Sequence, residues 1–137
     1  MTLIIDSSFL VALYDGSELR HQRAFDFAEG RAEILLVPDV VLPEVSYLLR
    51  RNLGYANSMN FFDFFDHHYV KLEPIVEEDL ARVYDIGQRY SDAQLDLVDC
   101  FIMAIAERLD ITRIATFDRR DFGMFQPNHC DYLELLP

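Results

Sequence analysis

The chain has 137 residues, 51% hydrophobic and 26% charged, a composition typical of a globular domain with its own core. We therefore expect a single domain spanning residues 1–137. No apolar run approaches the roughly 20 residues of a membrane-spanning helix, and the acid Asp6 follows the start too closely for a signal peptide, so a cytoplasmic protein is expected. The formal net charge of -12 argues against nucleic-acid binding by bulk electrostatic attraction, but it leaves room for a nuclease whose metal ions and local arginines supply the positive field. Cys100 and Cys130 lack metal-ligand spacing and are expected to be reduced.

Short apolar runs alternate with helical patterns along the whole chain. In chain order the first half predicts a strand at Leu3–Asp6, helices at Ser7–Tyr14 and Leu19–Ala28, a strand at Ile34–Val37 and a helix at Asp39–Leu53. The second half predicts a helix at Ala56–His67, a strand at Val70–Pro74, a helix at Glu78–Tyr90, a helix from Asp96 through Leu109, and strands at Arg113–Phe117 and Tyr132–Leu135. Continuous apolar strands between helices predict a three-layer α/β/α sandwich with a mainly parallel central sheet.

Four carboxylates stand in apolar surroundings, where a charged side chain is costly. Asp6 and Asp118 each end an apolar run, and Glu44 and Asp99 are each embedded in one. An unpaired buried carboxylate is strongly disfavoured unless it is neutralised or bound to a cation. Because parallel sheets bind ligands outside the carboxyl ends of their strands, the four acids can share one edge. An all-oxygen cluster of this kind favours a hard cation such as Mg2+ or Mn2+.

Each of these acids also has a simpler interpretation. Asp6 could cap the following helix, and Glu44 could be a first-turn acid favoured by the helix dipole. Asp99 could form a capping arrangement with Asp96, three residues earlier. Asp118 could be a turn residue paired with an arginine. The joint pattern is harder to explain in this way, because all four acids have apolar neighbours and can meet at one edge.

Four segments of the chain resemble the motifs of a known family. They are Leu3–Ser8 with His21 downstream, Val41–Val45, Leu95–Cys100 leading to Ala104–Leu109, and Ile114–Phe122. In this order and spacing they resemble PIN-domain proteins, and most of all the VapC-type toxins of bacterial and archaeal toxin–antitoxin systems. The resemblance covers essentially the whole chain. It implies a PIN-like fold and a Mg2+- or Mn2+-dependent endoribonuclease restrained by a cognate antitoxin, with catalytic, metal-binding acids at Asp6, Glu44, Asp99 and Asp118.

The residue types suit phosphodiester hydrolysis, which needs an activated water and neutralisation of the charge on the scissile phosphate. A cation held by carboxylates supplies both, without a nucleophilic serine or cysteine. Ser8 and Thr116 could hydrogen-bond a carboxylate or a metal-bound water. The alternative is that Ser8 is only a helix cap and Thr116 only a strand residue. Asp96 is interpreted as a helix cap beside the site, and Asp121 as an acid around it or at the surface. His21 is interpreted as a structural or surface histidine rather than a general base.

Two adjacent arginines, Arg119 and Arg120, directly follow Asp118. A chain that repels RNA as a whole needs local cations to bind it. We therefore expect at least one of the two to bind a substrate phosphate through a bidentate guanidinium pair. The alternative is that they pair with Asp118 and Asp121 and only hold the loop.

Four phenylalanines occur within five positions, at Phe61, Phe62, Phe64 and Phe65. On an α-helix they would cover more than one core-facing stripe, so some of them would face outward. An outward apolar patch marks a protein interface, and we expect a homodimer or an antitoxin contact there. A wide core-facing surface is the alternative.

Other functions compete with the ribonuclease. A non-catalytic PIN-type binding or assembly module is the main alternative, and a metal-binding titration would separate the two. A phospho-acceptor receiver domain needs a lysine at a strand end near the acids, whereas Lys71, the only lysine, is near the start of a strand. A phosphatase of the Asp-x-Asp type is excluded because Ser8 occupies the second acid position.

Overall fold

A computed structural model describes all 137 residues as a parallel sheet surrounded by helices. The strands are β1 (Thr2–Ile5), β2 (Ile34–Pro38), β3 (Val70–Glu73), β4 (Arg113–Ala115) and β5 (Glu134–Leu136). The α-helices are α1 (Ser7–Tyr14), α2 (His21–Ala28), α3 (Leu42–Leu53), α4 (Tyr55–Ser58), α5 (Glu77–Arg89), α6 (Leu97–Arg108) and α7 (Arg120–Met124). Two 3-10 segments precede α3 and follow α4, at Asp39–Val41 and Met59–Asp66.

The sheet order β3-β2-β1-β4-β5 places the first strand of the chain at its centre. All four strand pairs are parallel, which confirms the predicted sheet. Leu3, Ile4 and Ile5 of β1 are fully buried, so both faces of the sheet are covered. Helices α1, α2 and α3 pack together and α5 packs against α6, which completes the predicted three layers. None of the helices combines the length and the apolar character that a membrane crossing requires.

The phenylalanine-rich segment differs from the single helix predicted for Ala56–His67. Only α4 is α-helical there, and a 3-10 helix continues from Met59. Residues i and i+3 eclipse in a 3-10 helix, so Phe61 and Phe64 share one side and enter the core. Phe62 points outward and is 47% exposed. The alternative of a core-facing surface therefore holds for Phe61 and Phe64, whereas Phe62 faces outward as expected of some of the four.

Candidate functional site

Two of the predicted acids lie at one edge of the sheet because neighbouring strands end there. β1 ends at Ile5 and β4 at Ala115, and these residues are partners in the parallel register. Asp6 follows β1, and its backbone N–H donates to the Ala115 carbonyl oxygen at 3.0 Å. Asp118 follows β4 in the next loop. The two strands therefore deliver one carboxylate each to the same place.

The other two acids occupy the first turns of helices that begin near that edge. Glu44 is in the first turn of α3, where the preceding Pro43 breaks no helical hydrogen bond. Asp99 is in the first turn of α6, whose N-cap is Asp96. The Asp96 carboxylate accepts hydrogen bonds from the backbone N–H groups of Val98 at 2.9 Å and Asp99 at 3.3 Å. Both helix N-termini favour negative charge. Each acid is therefore stabilised by its own helix dipole, in addition to any role in the shared acid cluster.

All four acids line a single cavity of about 260 Å³. The structure thus brings together residues from four separate segments of the chain, namely Asp6, Glu44, Asp99 and Asp118. The remaining lining residues are Ser7, Ser8, Val11, Glu18, Arg20, Leu48 and Asp96. Nine of its eleven lining residues are polar or charged, so the cavity suits an ionic ligand rather than an apolar one.

Hydroxyl groups hold the buried Asp6 carboxylate in place. The Thr116 hydroxyl donates to Asp6 Oδ2 at 2.7 Å, and the Ser8 hydroxyl donates to the same oxygen at 3.0 Å. The backbone N–H of Phe117 donates to Ser8 Oγ at 2.9 Å, and that of Asp118 donates to Thr116 Oγ1 at 3.0 Å. Ser8 and Thr116 therefore make the predicted carboxylate contacts and also tie the loop after β4 to the end of β1.

Burial and mutual repulsion shift the ionisation of the acids. Desolvation, followed by the negative charge of Asp6, raises the pKa of Asp99 to about 9. Desolvation raises the pKa of Asp6 more than its hydrogen bonds to Thr116 and Ser8 lower it. Desolvation also raises the pKa of Glu44. All three shifts disfavour the charged form of these carboxylates, so a cation bound among them would stabilise their ionised state.

Asp99 provides the observation that tests whether a cation fits. Its Oδ2 atom is buried and has no hydrogen-bond partner, a costly state for a polar atom in a folded protein. Carboxylate oxygens of Asp99, Asp118 and Asp121 lie within 4.8 Å of one another. Oxygen ligands at such spacing suit a hard divalent cation. The residues present at this edge of the sheet therefore fit a divalent metal ion.

Asp121 lies inside this cluster rather than at the surface. It is buried, and its carboxylate accepts a hydrogen bond from the backbone N–H of Asp96 at 2.9 Å. The short helix α7, which the sequence pattern did not predict, turns Asp121 back toward Asp118. The only sequence signal for this position is the spacing of three residues between the two acids.

Comparison with known proteins identifies the family. The family model described as PIN domain matches residues 3–124. This chain belongs to the PIN-domain family. A curated relative, Ribonuclease VapC26 of Mycobacterium tuberculosis, is 25% identical over 125 residues, which cover 91% of this chain and 93% of that protein.

Solved structures share this PIN fold. Mycobacterium tuberculosis VapC20, described as a Sarcin-Ricin loop cleaving toxin, superposes with a TM-score of 0.80 at 19% identity, covering 88% of this chain and 93% of that one. A toxin-antitoxin complex from Klebsiella pneumoniae gives 0.69 at 19% identity, covering 90% and 92%. A DNA-bound VapBC from Salmonella typhimurium gives 0.69 at 11% identity, covering 98% and 96%. The predicted family and fold are therefore confirmed.

The two arginines after Asp118 do not line the cavity of this PIN domain. The Arg119 guanidinium donates to the Pro137 carbonyl oxygen. Arg120 pairs with Asp121 at 2.7 Å and donates to the Ala93 carbonyl oxygen at 2.9 Å. For Arg120 the geometry matches the alternative, in which an arginine holds the loop through Asp121.

Arg20 is the basic residue that lines the cavity, and the sequence reasoning missed it. Its guanidinium packs over the ring of Phe117 at 4.8 Å and pairs with Glu18 at 2.9 Å. It lies in the connection between α1 and α2, outside every recognised motif, so no pattern marked it. The neighbouring His21 places Nδ1 2.8 Å from the Ala12 carbonyl oxygen, a contact that fits the structural interpretation of this histidine.

Proposed function

We propose that this PIN-domain protein is an endoribonuclease that depends on Mg2+ or Mn2+, acts in the cytoplasm as a VapC-type toxin, and is restrained by a cognate antitoxin. The observation that carries the proposal is the buried, unpartnered Asp99 Oδ2 within a carboxylate cluster at the carboxyl edge of the sheet. The names of the relatives, which include a ribonuclease and toxin–antitoxin complexes, support it.

The acids at the site have different roles in hydrolysis, which depend on their positions. Asp99, Asp118 and Asp121 would hold the cation together with Asp6, which its hydroxyl contacts keep fixed. When bound, the cation lowers the pKa of water and neutralises charge on the scissile phosphate. Glu44, which lines the cavity and is exposed to solvent, would take the proton from the attacking water and release it to solvent.

RNA cleavage with and without metal tests this function. We expect a single-stranded RNA to be cut in the presence of Mg2+ or Mn2+ and to stay intact when the metal is removed by a chelator. A non-catalytic PIN-type binding module would leave the RNA intact with every metal. That outcome would overturn the nuclease proposal, and so would equal cleavage in excess chelator.

Arg20→Ala should weaken the binding of the scissile phosphate of the RNA. Because hydrogen bonds to a charged group contribute about 1.5–3 kcal/mol, we expect kcat/KM for RNA to fall roughly 10- to 100-fold, with a shallower dependence on salt. Steady-state cleavage at several salt concentrations measures both. Arg23→Ala is the matched control, because Arg23 also contacts Phe117, at 5.9 Å, but does not line the cavity. Identical kinetics for Arg20→Ala and its parent would mean that Arg20 only holds the loop.

A homodimer is also part of the proposal, but on a different surface from the phenylalanine segment. A shallow cavity between α5 and α6 is lined mainly by apolar side chains, among them Leu80, Tyr84, Leu97 and Phe101. Tyr84 is 67% and Leu97 64% exposed, and exposed apolar patches mark interfaces. We propose that a second copy of the chain covers this face, with more than about 1,000 Å² buried in total.

Tyr84→Glu should therefore convert the dimer into a folded monomer. A charge placed in the centre of an apolar interface is desolvated without a partner, which opposes association. Sedimentation equilibrium measures the change in mass. Tyr132→Glu is the control, because Tyr132 is similarly exposed, at 72%, but lies outside this face. An unchanged dimer for Tyr84→Glu would exclude the α5–α6 face as the interface.

A further inference from the structure

A second concave surface lies along α3, the helix that also carries Glu44. Glu44 and Leu48 line the acid cavity, whereas Tyr47, Arg50 and Arg51 line a depression of about 370 Å³. Glu44, Tyr47 and Arg51 are spaced by three and four residues, so they follow one face of the helix. At 1.5 Å per residue, Arg51 is about 10 Å along the axis from Glu44. A ligand that follows this face of α3 would therefore run from the depression toward the acid site.

The two guanidiniums are paired with aromatic rings rather than with carboxylates. Arg51 lies over the ring of Tyr47 at 6.0 Å, and Arg50 lies over that of Tyr55 at 5.4 Å. Six of the other arginines form ion pairs, whereas neither of these two has a carboxylate within 4.0 Å. Arg51 donates only to the Asn52 side-chain oxygen. In a chain with a net charge of -12, two adjacent unpaired cations are available to an anionic ligand.

The aromatic rings indicate what kind of anion fits. Tyr47 and Tyr55 are each 65% exposed, which leaves ring surface open to stacking. Cations at the C-terminal end of α3 would also be explained by the helix dipole, but the dipole gives no reason for tyrosines beside them. Exposed aromatic rings interleaved with arginines are the combination that holds single-stranded nucleic acid, through base stacking and phosphate contacts.

We propose that Tyr47, Arg50 and Arg51 form a binding groove for the single-stranded RNA that flanks the cleaved bond, an inference that rests on the nuclease function proposed above. Tyr47 stacks one base, and the two arginines hold phosphates of the same strand. Because stacking tolerates every base, the groove contributes affinity and position more than sequence preference. It compensates locally for the repulsion between RNA and an acidic protein.

Binding measurements on the full chain test the groove. The probe is an unstructured 12-nucleotide RNA of mixed sequence, and the protein carries Asp99→Asn so that the RNA stays intact. The double variant Arg50→Ala and Arg51→Ala should bind roughly tenfold or more weakly at low salt, with the slope of log K against log salt shallower by about 1.4. Tyr47→Ala should weaken binding about fivefold or more, whereas Tyr47→Phe, which keeps the ring, should bind like the parent.

Arg89→Ala is the matched control for the loss of a positive charge. Arg89 is exposed, lies over the ring of Tyr90 at 5.7 Å and has no ion pair, but it lines neither cavity. We expect it to bind RNA like the parent. RNA cleavage, measured on groove variants that keep the native Asp99, gives a second readout. The groove variants should lose kcat/KM on the 12-nucleotide RNA but not on a dinucleotide, which is too short to reach the groove.

Other outcomes would overturn the proposal. If the parent cuts RNA and the groove variants bind and cut it equally well at every salt concentration, the groove does not hold RNA although the nuclease function stands. If the variants instead lose affinity only for poly-glutamate, the surface docks an acidic polypeptide. If the parent cuts no RNA with any divalent cation, the nuclease function fails. The binding assay still decides whether this groove holds single-stranded RNA.

Discussion

Asp99→Asn should lower cation-dependent RNA cleavage by at least about 1,000-fold and, at the same time, make the metal-free protein more stable. The two effects have one cause. Asp99 is buried among carboxylates, its Oδ2 has no partner, and its pKa is raised to about 9. Asparagine keeps the shape but removes the charge that a cation requires. It also removes the repulsion from Asp6, Asp96 and Asp118.

The gain in stability depends on pH in a defined direction. The pKa of Asp99 is about 9 in the folded protein, against an ordinary value of 3.8. Between these values the folded state binds more protons than the unfolded state, so the stability of the metal-free parent falls as pH rises from about 4 toward 9. Asp99→Asn lacks this pH-dependent loss of stability, because asparagine does not titrate. Its advantage over the parent should therefore grow with pH across that window.

Thermal unfolding in chelator and in Mg2+ or Mn2+ measures these effects. Near neutral pH we expect Asp99→Asn to be more stable than the metal-free parent by about 2 kcal/mol, or roughly 4–8 °C in Tm. Metal should raise the Tm of the parent but not that of the variant, because only a protein that binds the ion gains stability from it. Asp92→Asn, at an exposed turn position, is the control. Undiminished cleavage by Asp99→Asn in excess chelator would contradict the metal-dependent mechanism.

Phe64→Ala should cost about 3–5 kcal/mol of unfolding free energy, whereas Phe62→Ala should cost less than about 1 kcal/mol. Phe64 is 6% exposed and packs edge-on against Tyr14, with ring centroids 6.0 Å apart. Phe62, two positions earlier, is 47% exposed. Removing the first ring leaves a cavity in the core, but removing the second mostly uncovers surface.

Urea denaturation of both variants measures the difference, and Phe62 serves as the matched control within the same 3-10 segment. Equal losses for the two variants would mean that the segment packs differently from the arrangement described above. For the same reason, Phe64→Glu would not report on an interface. It would bury an unpaired charge in the core and unfold the monomer itself.

Much of the fold and the acid cluster was predictable because apolar runs encode buried strands directly. Asp6 and Asp118 were expected at strand ends, and parallel topology brings such ends to one edge. The position of Arg20 was not predictable, since it depends on how the connection from α1 to α2 folds over Phe117. The sequence left open whether Asp121 lies beside the site or at the surface, because α7 is too short to show a periodic pattern.

The prediction of a single α-helix for the phenylalanine-rich segment was wrong for another reason. Its apolar residues were interpreted with the period of an α-helix, whereas the chain adopts the tighter 3-10 period that aligns Phe61 with Phe64. Local propensity alone does not decide between the two, and in the 3-10 arrangement Phe61 and Phe64 both pack edge-on against Tyr14. The roles assigned to individual site residues remain proposals, since the sequence gives their types and positions but not their contacts with RNA.

The central position of β1 has a consequence for synthesis of the protein. β1 pairs with β4, and Thr116 donates to an Asp6 carboxylate made 110 residues earlier. At about 5–20 residues per second, β1 is synthesised roughly 5–20 s before its neighbour β4. Such non-local pairing also slows folding. A growing chain therefore carries no complete acid cluster until Asp118 and Asp121 have left the ribosome, so a nascent chain lacks the site that the finished fold assembles.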